Sequence, residues 1–329
     1  MIANLNNTSA INNVKESLAR NNYRLERLEF LFENFRTADQ WHFVLANIDR
    51  STNLSYVAFD FSWGNMHRYT VPPATTEAIK QFFRILLQAR RSKITWVYLR
   101  CCPTIYDDLE FVSQVTNTLA SPSTTLVKLE LPGYRLRDEY KLGNAGAVIL
   151  AQGLAKNAVL RHLDLSDQAI GDEGIAAIGR ALATCHLVEL CLSGNTFERI
   201  RILGQRGLCF NGTLQILKLE RLESFKSSQL KYLKDYAARS ATLIKVVGRG
   251  ETSEALSRSL LETRKLHERL YNFWWQWKKN HYCNVPAYLL PQVLARFSAR
   301  PAMVYNLFKV RGNLLGADLM KMHHRQNIS

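Results

Sequence analysis

Residues 160–197 read LRHLDLSDQAIGDEGIAAIGRALATCHLVELCLSGNTF, one full unit of a repeat followed by the start of the next. The pattern L-x-x-L-x-L opens at Leu160 and again at Leu187. A third copy, LQILKLERLESF, opens at Leu214, so the starts are 27 residues apart both times. Within each copy the second and third leucines are two residues apart. Strand side chains alternate, so Leu163 and Leu165, or Leu190 and Leu192, point to one side and their neighbours to the other. The leucine side is predicted to be core. Between two copies, GDEGIAAIGRALATC (171–185) carries apolar residues every three or four positions, the period of an amphipathic helix. Asp172 and Glu173 sit where the first turn of a helix favours negative charge. GNAGAVILAQGLAKN (143–157) has the same period. Ala145, Gly146, Gly174, Ala176, Ala177 and Gly179 are small enough to let these helices approach the strands.

Looser copies extend the pattern in both directions: LERLEF at 25, LSYVAFDF at 54, ITWVYLRCC at 94, LVKLELPGYRL at 126 and LIKVVG at 243. Eight strands are expected, with spacings of 29, 40, 32, 34, 27, 27 and 29 residues. A single strand and helix cannot cover its own apolar face, so such units stack on one another. Strands that each precede a helix stack in parallel. The fold class is therefore α/β, a solenoid of strand-then-helix units.

The stretch 160–195 resembles the ribonuclease-inhibitor-like subfamily of leucine-rich repeats, and the match covers about 126–222. The resemblance implies a horseshoe, with parallel strands on the concave face and helices on the convex face, that works by protein–protein contact. The subfamily has Asn or Cys three residues after the last strand leucine. Asn195 holds that place here, while Gln168, Cys102, Tyr134 and Leu222 stand in the equivalent positions.

The expected organisation is a helical cap over 1–24, the solenoid over 25–250 and a basic helical cap over 251–329. Helical patterns at 8–24 and 33–47 flank the first expected strand. After Gly250, ETSEALSRSLLETRKLHERLYNFWWQWKKNHY (251–282) carries an apolar stripe at 256, 260, 266, 270, 273, 274 and 277. A stripe of this kind covers the open end of a solenoid, which otherwise exposes core. It also suits an amphipathic helix lying on a membrane surface.

Charge divides the chain. Residues 1–197 hold 20 Lys and Arg against 19 Asp and Glu, whereas 198–329 hold 23 against 9, so +14 of the net +15 lies in the second part. That imbalance is either a solvated basic face or a site for an acidic partner, nucleic acid or an anionic membrane surface. In the second case Lys265, Arg269, Lys278 and Lys279, interleaved with aromatics, are the polyanion-binding candidates.

No basic leader with an apolar core opens the chain, and no run approaches the roughly 18 apolar residues of a spanning helix. An intracellular setting, cytoplasmic or nuclear, is expected. The six cysteines (101, 102, 185, 191, 209 and 283) form no C-x-x-C and read as free thiols. No P-loop, metalloprotease helix or G-x-S-x-G occurs. No catalytic, metal-binding or cofactor-binding residues, and no small-molecule substrate, are implied. The expectation is a non-enzymatic scaffold or adaptor for a protein partner.

The side chains that alternate with the strand leucines form the readable surface, in three columns. Protein-binding candidates among them are Tyr56, Trp96, Tyr98, Arg100, Lys128, Glu130, His162, Asp164, Glu189 and Lys218. Tyr56, Trp96, Tyr98 and Arg100 are residue types that dominate interface energies. If the register at 94 slips by one, Trp96 and Tyr98 become core instead, and a loop that covers them would also take them out of the readable surface.

Overall fold

Val57 and Phe59, Val97 and Leu99, Leu163 and Leu165, and Leu190 and Leu192 are all almost completely buried, as the two-residue period requires. The computed structural model describes residues 2–4, 16, 20, 25–31, 45, 48, 53–60, 73–88, 93–100, 105–133, 141–208, 210–221, 232, 242, 243, 245–247, 257, 258 and 261. Among the described residues nine strands lie in chain order in one sheet, each parallel to its neighbour. They are β1 (Ile2–Asn4), β2 (Arg27–Leu31), β3 (Tyr56–Asp60), β4 (Trp96–Arg100) and β5 (Lys128–Glu130), then β6 (His162–Asp164), β7 (Glu189–Cys191), β8 (Ile216–Lys218) and β9 (Lys245–Val247). Helices α1 (Pro73–Gln88), α2 (Leu109–Ala120), α3 (Gly143–Lys156), α4 (Asp172–Leu182) and α5 (Ile200–Leu203, continued by a π turn over Gly204–Leu208) alternate with the strands from β3 to β8. A single buried cluster runs from Leu25 to Val246. The arrangement is that of a leucine-rich-repeat-like solenoid.

One expectation is corrected. The sheet has one strand more than the eight read from the sequence, because Ile2–Asn4 pairs with Arg27–Glu29 inside the stretch assigned to the N-terminal cap. A three-residue strand with no leucine pair leaves no periodic signal. Among the small residues, Gly174 and Gly179 face a neighbouring helix. A Cβ on Gly174 would come within 2.9 Å of the Ala147 Cβ, and one on Gly153 would strike the Thr116 carbonyl of the preceding helix.

Polar ladders tie successive units together. Asn195 Oδ1 accepts from the Gln168 and Ile170 N–H at 3.1 and 3.0 Å, and its Nδ2 donates to the Leu165 and Leu192 carbonyls at 2.8 and 2.9 Å. Gln168 does the same work one unit earlier: Oε1 accepts from the Leu142 N–H at 2.9 Å and Nε2 donates to the Leu131 carbonyl at 2.5 Å. Earlier again, the Tyr106 hydroxyl donates to the Leu99 carbonyl at 2.6 Å. Each bond satisfies a loop group that burial would otherwise leave costly. Helix starts are held across units as well. Asn144 Oδ1 accepts from the Gly171 and Gly174 N–H at the start of α4, and Asp172 Oδ1 accepts from the Glu198 and Arg199 N–H before α5. A side chain at the head of one helix thus caps the next.

At the loop end of the sheet, Asp167, Gly194 and Arg221 occupy equivalent places, two residues after the last strand leucine, and share positive φ of 56°, 68° and 56°. Asp167 Oδ2 and Arg221 Nη2 meet at 2.7 Å, past the intervening Gly194. A Cβ on Gly194 would collide with the Asp167 carboxylate.

Of the expected C-terminal cap, Ser257, Arg258 and Leu261 are described. Lys265, Arg269, Lys278 and Lys279, with Trp274, Trp275 and Trp277, lie outside the described residues.

Candidate functional site

The strand register brings the expected columns together. Arg27 pairs with Tyr56, Tyr56 with Trp96 and Trp96 with Lys128, and the row continues through His162, Glu189 and Ile216 to Lys245. Two residues on, Glu29, Ala58, Tyr98, Glu130, Asp164, Cys191, Lys218 and Val247 form the second row. Trp96 and Tyr98 lie opposite the buried Val97 and Leu99, so the slipped register does not occur.

At the β2–β5 end the first row condenses into one cluster. The Tyr56 and Trp96 rings meet edge-on, with centroids 4.4 Å apart. The Arg27 guanidinium lies 4.4 Å from the Tyr56 ring and 5.6 Å from the Trp96 ring, and Lys128 Nζ lies 3.9 Å from the Trp96 ring. These are cation–π distances. Trp96 Nε1 donates to Glu130 Oε2 at 2.6 Å, and Glu130 also pairs with Lys128 at 3.2 Å. The indole is therefore held from its ring face, its edge and its N–H while remaining half-buried.

Tyr56, one of the expected contact residues, is part of this cluster. It is only 8% exposed beneath Arg27 and Trp96. Burial, then Glu29, raises its hydroxyl pKa above the ordinary value. It acts as a floor for Trp96. Arg100 is exposed and stands 3.9 Å from Asp60 across β3 and β4.

At the β5–β8 end the face is a network of charges around a shallow hollow of about 70 Å³. Glu189 is its centre, meeting Lys218 at 2.5 Å and His162 Nδ1 at 3.2 Å. Burial pushes the Glu189 carboxyl pKa up, but Lys218 and His162 outweigh it and hold it below the usual carboxylate range. The bond to Glu189 raises the Lys218 ammonium pKa. Cys191 lies in the same hollow, its thiol pushed up to about 11 by burial and then by Asp164. A thiol that stays protonated at neutral pH is a poor nucleophile. Cys185 is also free and buried.

Among the described residues no group of His, Cys, Asp and Glu is placed to hold a metal ion. Among the same residues no helix is long and apolar enough to cross a membrane. A second hollow, of about 330 Å³, lies on the helix side between Arg199, Arg201, Ile202, Gln205 and Tyr232. Sequence reasoning did not find it, because helix-surface residues carry no period that marks them.

No protein-family model matches the chain, and no curated protein matches it. Among solved structures it is similar to the leiomodin-1 actin-binding site 2 (ABS2), with 17% identity and a TM-score of 0.42, over 54% of this chain and 99% of that one. A likeness this loose carries neither residues nor a partner across.

Proposed function

We propose that the protein is a non-catalytic interaction scaffold, a leucine-rich-repeat solenoid of the ribonuclease-inhibitor-like kind whose strand face, the concave side of a horseshoe, takes a protein partner at Trp96. The observation behind this reading is the preorganised cluster of Arg27, Tyr56, Trp96, Lys128 and Glu130. A large ring already fixed by its neighbours loses little side-chain entropy on binding, which is how aromatic anchors come to dominate interfaces. Tyr98 and Arg100 extend the anchor toward the loops, and the charges from His162 to Lys218 set the register of the partner.

The competing reading places function in the basic C-terminal region, binding nucleic acid or an anionic membrane surface, and its support is the charge imbalance over 198–329 and the aromatics interleaved with Lys265, Arg269, Lys278 and Lys279. Affinity capture from the native cell separates the two, using the full chain, Trp96→Ala and a chain neutralised at Lys265, Arg269, Lys278 and Lys279 as baits. The scaffold reading expects a protein that the full and neutralised baits retain and Trp96→Ala loses. Retention by Trp96→Ala with loss on neutralisation would move the function to the basic segment.

A further inference from the structure

A parallel sheet that ends in an open edge presents unpaired N–H and C=O groups to any strand that arrives. In β9 those groups belong to one residue. The Lys245 N–H donates to the Gln215 carbonyl and the Val247 carbonyl accepts from the Leu219 N–H, so both residues face β8. Bonding direction alternates along a strand, and Val246 alone turns its N–H and C=O outward. Among the described residues β9 has no strand partner but β8.

Both outward groups are nevertheless bonded, and to the same atom. Ser257 Oγ accepts from the Val246 N–H at 3.1 Å and donates to the Val246 carbonyl at 2.8 Å. A hydroxyl has one donor and two acceptor lone pairs, which is what a donor and acceptor on one residue require. The Val246 side chain is itself buried, so the last rung closes the core while its outward peptide groups are met by Ser257.

We infer that Ser257 substitutes for a tenth strand: its hydroxyl terminates the sheet and anchors the segment after residue 250 to the last rung of the solenoid. The anchor acts near the start of the basic region in sequence, next to the exposed Arg258. It attaches that region to the sheet whatever the region binds, and it stands independently of the function proposed for the strand face.

The test uses the full chain with Ser257→Ala, and Ser257→Thr, which keeps the hydroxyl. Amide hydrogen exchange is followed at Val246, with Leu217 in β8 as the internal reference, alongside tryptic cleavage after Arg258. The expected result for Ser257→Ala is exchange at Val246 and cleavage after Arg258 each faster by about tenfold or more, a local opening. Leu217 is expected to be unchanged and Ser257→Thr to behave as the parent chain. Unchanged Val246 exchange in Ser257→Ala overturns the inference. Equal acceleration at Leu217 overturns it too, since a terminator acts on the last rung alone.

Discussion

The β2–β4 and β6–β8 regions share one sheet and one core but keep their repeats in step by different means. From β6 to β8 the unit is regular at 27 residues, and Asn195 and Gln168 tie each loop to the one before it. From β2 to β4 the strand starts are 29 and 40 residues apart, and the order comes from rings. Phe30 stacks on Phe59 at 4.9 Å, Phe59 meets Phe82 of α1 at 5.3 Å, Phe82 meets Phe83 at 5.4 Å and Phe83 meets Phe111 of α2 at 5.5 Å. A longer unit leaves more volume between helix and sheet, and phenyl rings fill it where leucines suffice later on. Regular polar ladders and irregular aromatic packing are thus two solutions to the same stacking problem.

The largest expected effect lies in the aromatic region. Phe82→Ala should destabilise by about 3 to 5 kcal/mol, and Leu163→Ala or Leu190→Ala in the regular region by about 2 to 5 kcal/mol, read from denaturant unfolding. Because the buried cluster is continuous from Leu25 to Val246, each should shift one shared transition. Two separated transitions would show that the regions are independent units.

Asn195→Ala sharpens the contrast. It strands two N–H groups and two carbonyls in a buried loop, and should cost roughly 3 kcal/mol at about 1 to 3 kcal/mol for each orphaned group, less what water recovers. A neutral result would mean that leucine packing alone sets the 27-residue period. Gly194→Ala should cost about 2 kcal/mol, from its left-handed φ and its collision with Asp167. Breaking the Asp167–Arg221 pair with Arg221→Ala should cost about 1 kcal/mol or less.

The smallest expected effect is electrostatic. The Glu189 pKa is depressed on folding, so the carboxylate contributes stability above its unfolded value and loses it as pH falls through the folded one. A melting-temperature profile taken down through the carboxylate range should therefore fall less steeply for Glu189→Gln than for the parent, by under about 1 kcal/mol. Identical profiles would remove the Glu189 network from the stability of the regular region.

From Lys128 onward the strand register was readable because the two-residue period leaves no freedom once one face is core, whereas before residue 126 the looser repeats left it open and the burial of Val97 and Leu99 decides it. What lies above or beside a strand was not readable. Periodicity assigns Tyr56 to the outer face but cannot say that Arg27 and Trp96 cover it. The subfamily pattern marks Asn195, yet Gln168 at the equivalent position and Tyr106 outside the pattern reach the same kind of carbonyl with longer side chains. Ser257 gave no signal, since one hydroxyl among several serines acquires its role only where the chain passes the edge of β9.

Neighbouring residues of β4 test the central claim most directly, because Trp96 is on the face and Val97 is in the core. With a captured protein partner, affinity and unfolding midpoint are measured for Trp96→Ala and Val97→Ala. The account predicts that Trp96→Ala weakens binding by about tenfold or more with a small change in midpoint. Val97→Ala should lower stability by about 2 kcal/mol and leave the affinity of the folded fraction intact. Unchanged affinity in Trp96→Ala, together with a loss of stability matching that of Val97→Ala, would contradict it.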